Sequence, residues 1–271
     1  MKTPENQGFL SRFDWYQASL LEDPAILINR LAEALGAEPQ QVKGINGYYA
    51  GTSLRDAALN TTVVTIYYGG NEVPNVVITG QNCDRVVPVF RSLFPRNRVT
   101  RADSAVDFES AGAYEEIRDT LTALAGEKTN KQEIESTVNG VRARTFYYGA
   151  PSSAVRIRLY EKGKKEHQEG RTDSPGDWVR LELQLRPKKA ARERAAGATA
   201  DELWGFSPIA RKIAALVMQM NVAPVSMNLK TVSDDERALK ALKRQYSKVL
   251  QRTFEGNTVE QFLALIGVSQ D

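Results

Sequence analysis

Residues 177–185, DWVRLELQL, alternate polar and apolar side chains almost without a break. Successive side chains of a strand point to opposite faces, so Trp178, Arg180, Glu182 and Gln184 share one side and Val179, Leu181, Leu183 and Leu185 the other. The aliphatic set must face a core. That places the strand inside a sheet and leaves a carboxylate, Glu182, in the middle of its opposite face. An unpaired carboxylate there is costly, so it calls for an arginine, a proton or a cation.

Two further segments follow the same alternation. In VTRADSAVDFE, residues 99–109, Arg101, Asp103, Ala105, Asp107 and Glu109 fall on one face, opposite Ala102, Val106 and Phe108. Asp103 and Asp107 are separated by ~13 Å along an extended strand, too far to grip one ion directly unless the strand bends or bulges. In RIRLYEKGKKE, residues 156–166, Arg156, Arg158, Tyr160 and Lys162 project together, opposite Ile157 and Leu159. Side by side, the three strands offer carboxylates, cations and one phenol. One reading is a phosphodiester site around a divalent metal ion, Mg2+ or Mn2+, which oxygen-only ligands favour over zinc. The other is a sheet laced with cross-strand Asp–Arg and Glu–Arg pairs.

Outward from these strands the pattern is α+β. FDWYQASL (13–20) is a strand; Asp23 and Pro24 open a helix, PAILINRLAEALG, that Gly36 stops. GYYAGTSL, TTVVTIYYGG and NVVITG form an antiparallel meander, and QNCDRVVPVFRSLF a helix despite Pro88. The plan then recurs. AYEEIRDTLTALAGEK (113–128) is a helix, and VRARTFYYGAPSS, AVRIRLYEKGKKE and DWVRLELQLRP are strands. KTNKQEIESTVNG (128–140) reads as a polar loop between the halves and HQEGRTDSPGD (167–177) as a turn-rich connection. Beyond Pro187, ARERAAGATADELWGFSPIARKIAALVMQMN and DDERALKALKRQYSKVLQRTFEG are helical. The expected fold is a curved antiparallel sheet built from two pseudo-repeated halves, about 12–110 and 112–190, with helices packed on one face. Residues 10–190 make the main domain, and 191–271 form a helical portion packed on it or serving as a small DNA-binding appendage.

Composition favours neither disorder nor a membrane class, with 42% hydrophobic and 25% charged residues in 271 and no run of about 20 apolar residues. MKTPENQGFLSRFD lacks the apolar core of a secretory signal, and the single cysteine, Cys83, points to a reducing, cytoplasmic setting and a small buried hydrophobe. Net charge is only +3, but basic residues gather in VRIRLYEKGKKEH, LRPKKAARERAAG and RALKALKRQYSKVLQR. These stretches line one track for a phosphate backbone or are three solvated faces. The lone His167 cannot build a histidine-hydrophobic-histidine metal pair and reads as an exposed loop residue. Tyr67, Tyr68, Tyr147 and Tyr148 read as packing residues, one of which could stack on an unpaired base.

The succession VTRADSAVDFE, RTFYYGAPSSAVRIRLYEKGKKE, DWVRLELQLRP resembles the trans-acting rolling-circle replication initiators of small plasmids, relatives of conjugative relaxases and filamentous-phage initiators. The family's motifs fall on Arg101 and Asp103, on Tyr148, Gly149 and Ser153, on Arg158, Tyr160 and Lys162, and on Arg180 and Glu182. VVITGQNC also fits the family pattern, with Thr79 in place of a serine, and the resemblance spans roughly residues 13–187. It implies that Tyr160 attacks a DNA phosphodiester, leaving a 5′-phosphotyrosine and a free 3′-hydroxyl. Asp103, Asp107 and Glu182 would hold the metal, with Glu166 in reserve. Arg158 and Lys162 would offset charge on the phosphate, and Arg101, Arg156, Arg180, Lys164 and Lys165 would contact DNA. Implied partners are origin DNA in a single-stranded or cruciform region, a host helicase and polymerase, and a second copy in a homodimer. The alternatives are a non-catalytic origin- or operator-binding protein and a relaxase for conjugative transfer.

Overall fold

The computed structural model describes residues 10–58, 60–225, 246, 249 and 251–265. Asp23 caps the first helix by accepting from the backbone of Ala25, Pro24 sits at its first turn, and Gly36 ends it in a left-handed conformation at φ 60°. In chain order the elements are β1 (Arg12–Ser19), α1 (Pro24–Leu35), β2 (Ala37–Lys43), β3 (Ala50–Asp56), β4 (Thr61–Tyr68), β5 (Asn75–Thr79) and α2 (Asn82–Leu93). Then come β6 (Arg98–Glu109), α3 (Ala113–Leu124), β7 (Lys131–Val138), β8 (Val141–Tyr148), β9 (Val155–Tyr160), α4 (Lys162–Gln168) and β10 (Trp178–Leu185). After β10 follow α5 (Ala191–Gly197), a 3-10 turn (Glu202–Phe206) and α6 (Pro208–Met218).

All ten strands join one antiparallel sheet in the order β2-β3-β4-β5-β1-β6-β10-β9-β8-β7. The first strands of the two halves, β1 and β6, meet at its centre. Outward from there each half is ordered alike, its last strand next and its second strand at the edge. One face carries the core. Leu181, Leu183 and Leu185 of β10 are buried there with Ile157 and Leu159 of β9, as the aliphatic stripes require. Each such side chain contributes about 1.5–3 kcal/mol relative to exposure. Trp204 is fully buried under the central strand, and its indole N–H donates to Ser104 Oγ at 2.9 Å, so the segment after β10 belongs to the core layer.

Three expectations are corrected. Residues 131–138 are not a loop but the edge strand β7, and β2 closes the other edge unannounced. Both are exposed along nearly their whole length, so no apolar stripe marks them. The tyrosine strand ends at Tyr160, so Lys162 does not share it; EKGKKE instead bends into α4, which packs against β8 and β10. Gly163 makes that bend possible, because a Cβ there would collide with the carbonyl of Pro175. His167 is a half-buried helix residue, its Nε2 2.7 Å from the Ser174 carbonyl, rather than an exposed loop residue.

Residues 228–271 form a separate unit in which Val259–Leu265 is helical. The expected helix 234–256 and its basic stretch 237–252 lie largely outside the described residues.

Candidate active site

The polar faces of β6, β10 and β9 converge because these strands are neighbours in register. Across them run the rows Asp107–Arg180–Tyr160, Ala105–Glu182–Arg158 and Asp103–Gln184–Arg156. Acid and base thus adjoin in the first two rows, the neutral Gln184 separates Asp103 from Arg156 in the third, and the small Ala105 leaves Glu182 without a bulky neighbour on the β6 side.

Tyr160 and Glu182 form the centre. The Tyr160 hydroxyl donates to Glu182 Oε1 at 2.7 Å, and Arg158 Nη2 donates to the same oxygen at 2.8 Å while lying 2.7 Å from Oε2. The Arg158 guanidinium also packs 4.5 Å from the centre of the Tyr160 ring. Glu182 is fully buried and Tyr160 nearly so. Burial first, and then the Glu182 charge, push the Tyr160 phenol above its usual value of 10, so it is protonated at neutral pH. Burial works against the Arg158 cation, but Glu182 more than compensates and its pKa rises.

Around this pair the remaining carboxylates are taken by guanidiniums. Asp107 accepts from Arg180 at 2.7 and 3.2 Å and from the Trp178 indole at 2.8 Å, and it contacts Arg12. Burial raises its pKa most, yet these partners together bring it below the ordinary value. Arg180 also donates to Asp14 at 2.9 Å. Asp103 is held by Arg101 at 2.9 and 3.1 Å, but burial outweighs Arg101 and pushes its pKa up to about 6.

Helix α4 closes the cleft with ammonium groups. Lys162 pairs with Glu166 and lies 5.6 Å from the Trp178 ring; Lys165 lies 5.6 Å from the Tyr160 ring. Burial and Arg158 lower the Lys165 pKa. Glu166 is clasped by Arg171 and Lys162, which hold its carboxyl down near pKa 2. Lys164 turns away to Glu161, beside Arg144 in a neighbouring cleft. The open cleft over Tyr160 has a volume of about 790 Å³ and is lined by Arg12, Arg158, Lys162, Lys165 and Arg180 among others.

Arg12 and Asp14 went unread in the sequence although both reach this cleft. The pairing of β1 with β6 slips between Phe13 and Trp15, so Asp14 sits in a bulge that strict alternation cannot foresee. Cys83 is fully buried and its thiol is pushed far up, first by burial, as for an inert core residue.

As a metal site the predicted trio falls short. Among the described residues no three His, Cys, Asp or Glu side chains converge as a cation requires. Of the oxygens of Asp103, Asp107 and Glu182, only Glu182 Oε2 is buried without a hydrogen bond. The residues as placed do not fit a divalent ion.

An open antiparallel sheet with a tyrosine among guanidiniums belongs to a fold class with a solved example. The structure of a rolling circle replication initiator protein from Geobacillus stearothermophilus superposes with a TM-score of 0.55, covering 81% of this chain and 100% of that one at 21% identity. At that identity the likeness is one of fold. The replication initiation factor profile matches residues 97–257, more than half of the chain. The chain belongs to the replication initiation factor family. No curated protein matches it. No helix among the described residues is long and apolar enough to cross a membrane.

Proposed function

We propose that this initiator nicks one strand of an origin through Tyr160, forming a 5′-phosphotyrosine and freeing a 3′-hydroxyl for polymerase extension. Rolling-circle initiators are in general nicking enzymes, and the observation that carries the assignment to Tyr160 is its 2.7 Å hydrogen bond to the buried Glu182. A phenol with a raised pKa is a poor nucleophile unless its proton has somewhere to go. Glu182 Oε1 already accepts that proton, so it serves as the base. The Tyr160 oxygen then bonds to phosphorus, the P–O3′ bond breaks, and the departing oxygen takes a proton from water. Arg158, Arg180, Lys162 and Lys165 are among the cations lining the cleft, and they offset charge developing on the phosphate.

Enzymes of this kind generally need a divalent ion. A cation at this site needs Asp103 or Asp107 released from its arginines, because each of these carboxylates is engaged by a guanidinium, Glu182 Oε2 lying 2.7 Å from Arg158 Nη2.

The test is incubation of the protein with supercoiled plasmid carrying its origin, followed by denaturing electrophoresis. A nick with protein left on the 5′ end, absent in Tyr160→Phe, is expected; equal nicking by Tyr160→Phe refutes the assignment.

A further inference from the structure

Six described side chains bury a polar atom that has no hydrogen-bond partner, and five of them belong to one stretch of one sheet face: Arg156, Arg158, Glu182, Gln184 and Arg186. Two of these, Arg158 and Glu182, belong to the tyrosine site. The other three mark a separate place further along β9 and β10. Gln184, 5% exposed, pairs in register with Asp103 on one side and Arg156 on the other. Continuing the register beyond Leu185–Ala102 by one residue sets Arg186 opposite Arg101. Like charges directly opposite across a sheet destabilise it. Here three guanidiniums, Arg101, Arg156 and Arg186, surround one carboxylate, Asp103, and that carboxylate is already paired with Arg101.

Neither Arg156 nor Arg186 forms an ion pair within 4 Å among the described residues, although Asp103 is near enough to Arg186 to favour its charge. Arg156 is held instead by the Tyr147 ring, 3.8 Å from its centre, just as Arg101 lies 4.3 Å from the Trp15 ring. Stacking fixes a guanidinium without neutralising it. The result is a cationic patch flanked by two aromatic rings on β1 and β8, in which Arg156 Nε, one terminal nitrogen of Arg186 and the acceptor Gln184 Oε1 are buried without a hydrogen-bond partner. A simple anion supplies acceptors only. A nucleotide supplies phosphate oxygens for the arginines and a base N–H for the amide.

We propose that Arg101, Arg156, Arg186 and Gln184 form a second nucleotide subsite, which grips a phosphate of the unpaired DNA strand away from the one cut at Tyr160. The proposal rests on the nicking assignment for the identity of the ligand as DNA. Tyr160 and Arg156 lie on the same face of β9 about 13 Å apart, so the two subsites engage different phosphates of one strand.

The experiment measures binding of a fluorescein-labelled oligo-dT single strand to the full chain by anisotropy over a series of salt concentrations. Each phosphate contact to a single strand contributes about 0.7 to the slope of log K against log salt. Arg186→Met is expected to weaken binding roughly tenfold and to flatten the slope by about 0.7. Arg156→Gln, which keeps a polar side chain beside Tyr147, is the second variant, and thermal melts report whether each one folds. Unchanged affinity and slope in the folded variants overturns the subsite. Inorganic sulfate raising the wild-type melting temperature as much as oligo-dT does overturns the nucleotide as occupant. The nucleophile assignment fails if Tyr160→Phe still nicks, and the subsite fails if the Arg186 and Arg156 variants bind as the wild type does, so the two failures are distinguishable.

Discussion

The two halves of the sheet present the same open face in the same strand order, yet the charge is concentrated on the second half and on the adjoining β1, whose Arg12 and Asp14 pair with it. On the first half that face carries Gln17 bonded to Asn75 at 2.8 Å, Ser53 bonded to Thr65 at 3.0 Å, and Tyr67 beside Tyr48 with ring centres 6.2 Å apart. On the second half it carries Asp103, Asp107, Arg156, Arg158, Tyr160, Arg180 and Glu182. Topology alone therefore does not place the chemistry. What differs is which residue types the alternation delivers, and neutral pairs satisfy themselves locally whereas buried charges need partners or substrate.

The sharpest way to break this contrast is to remove the nucleophile. Tyr160→Phe should abolish the covalent protein–DNA adduct on a denaturing gel while leaving the thermal melt near wild type. Glu182→Gln should slow nicking by about 10²- to 10⁴-fold, the usual worth of a general base, measured under single-turnover conditions. Next in size is Arg180→Met, which strands Asp107 and Asp14 and should cost about 3 kcal/mol in denaturant unfolding.

Asp103 gives the contrast a pH signature. Its folded pKa, about 6, lies above the ordinary 3.8, so its contribution to stability is full below about 3.8 and is lost as pH rises through about 6. The stability of the wild type relative to Asp103→Asn should therefore fall between pH 4 and 7 and level off above, in paired thermal melts. The smallest effect belongs to the neutral half. Gln17→Leu removes one hydrogen bond to the buried Asn75 and should cost about 1 kcal/mol with no change in nicking.

How much of this was legible follows from where the apolar residues lie. β6, β9 and β10 are buried on their aliphatic face, so strict alternation showed the strands and the side chains sharing each polar face, whereas the meeting of Tyr160 with Glu182 depends on the pairing of β9 with β10, which alternation leaves open. β7 and β2 escaped because edge strands need no apolar stripe. Lys162 was placed on the tyrosine strand because its spacing continues the alternation; the chain turns at Glu161 instead, and α4 returns Lys162 to the same cleft from the helix side. Asp14 and Arg12 were hidden by a bulge, a feature of pairing that no single strand's sequence records. Arg186 lies just beyond the end of β10, at the point where the alternating pattern gives way to Pro187.

The contact between Gly163 and Pro175 has a consequence for how the protein can change. Position 163 admits no side chain while the Pro175 carbonyl stays where it is, and His167 ties the same loop down through Ser174. Helix and loop are thus one part, and the ammonium groups of Lys162 and Lys165 travel with it. A lineage that altered the loop at 173–176 would shift both cations relative to the tyrosine without substituting either of them or the tyrosine. Substrate preference in such relatives is accordingly open to adjustment through a connection that has no chemistry of its own.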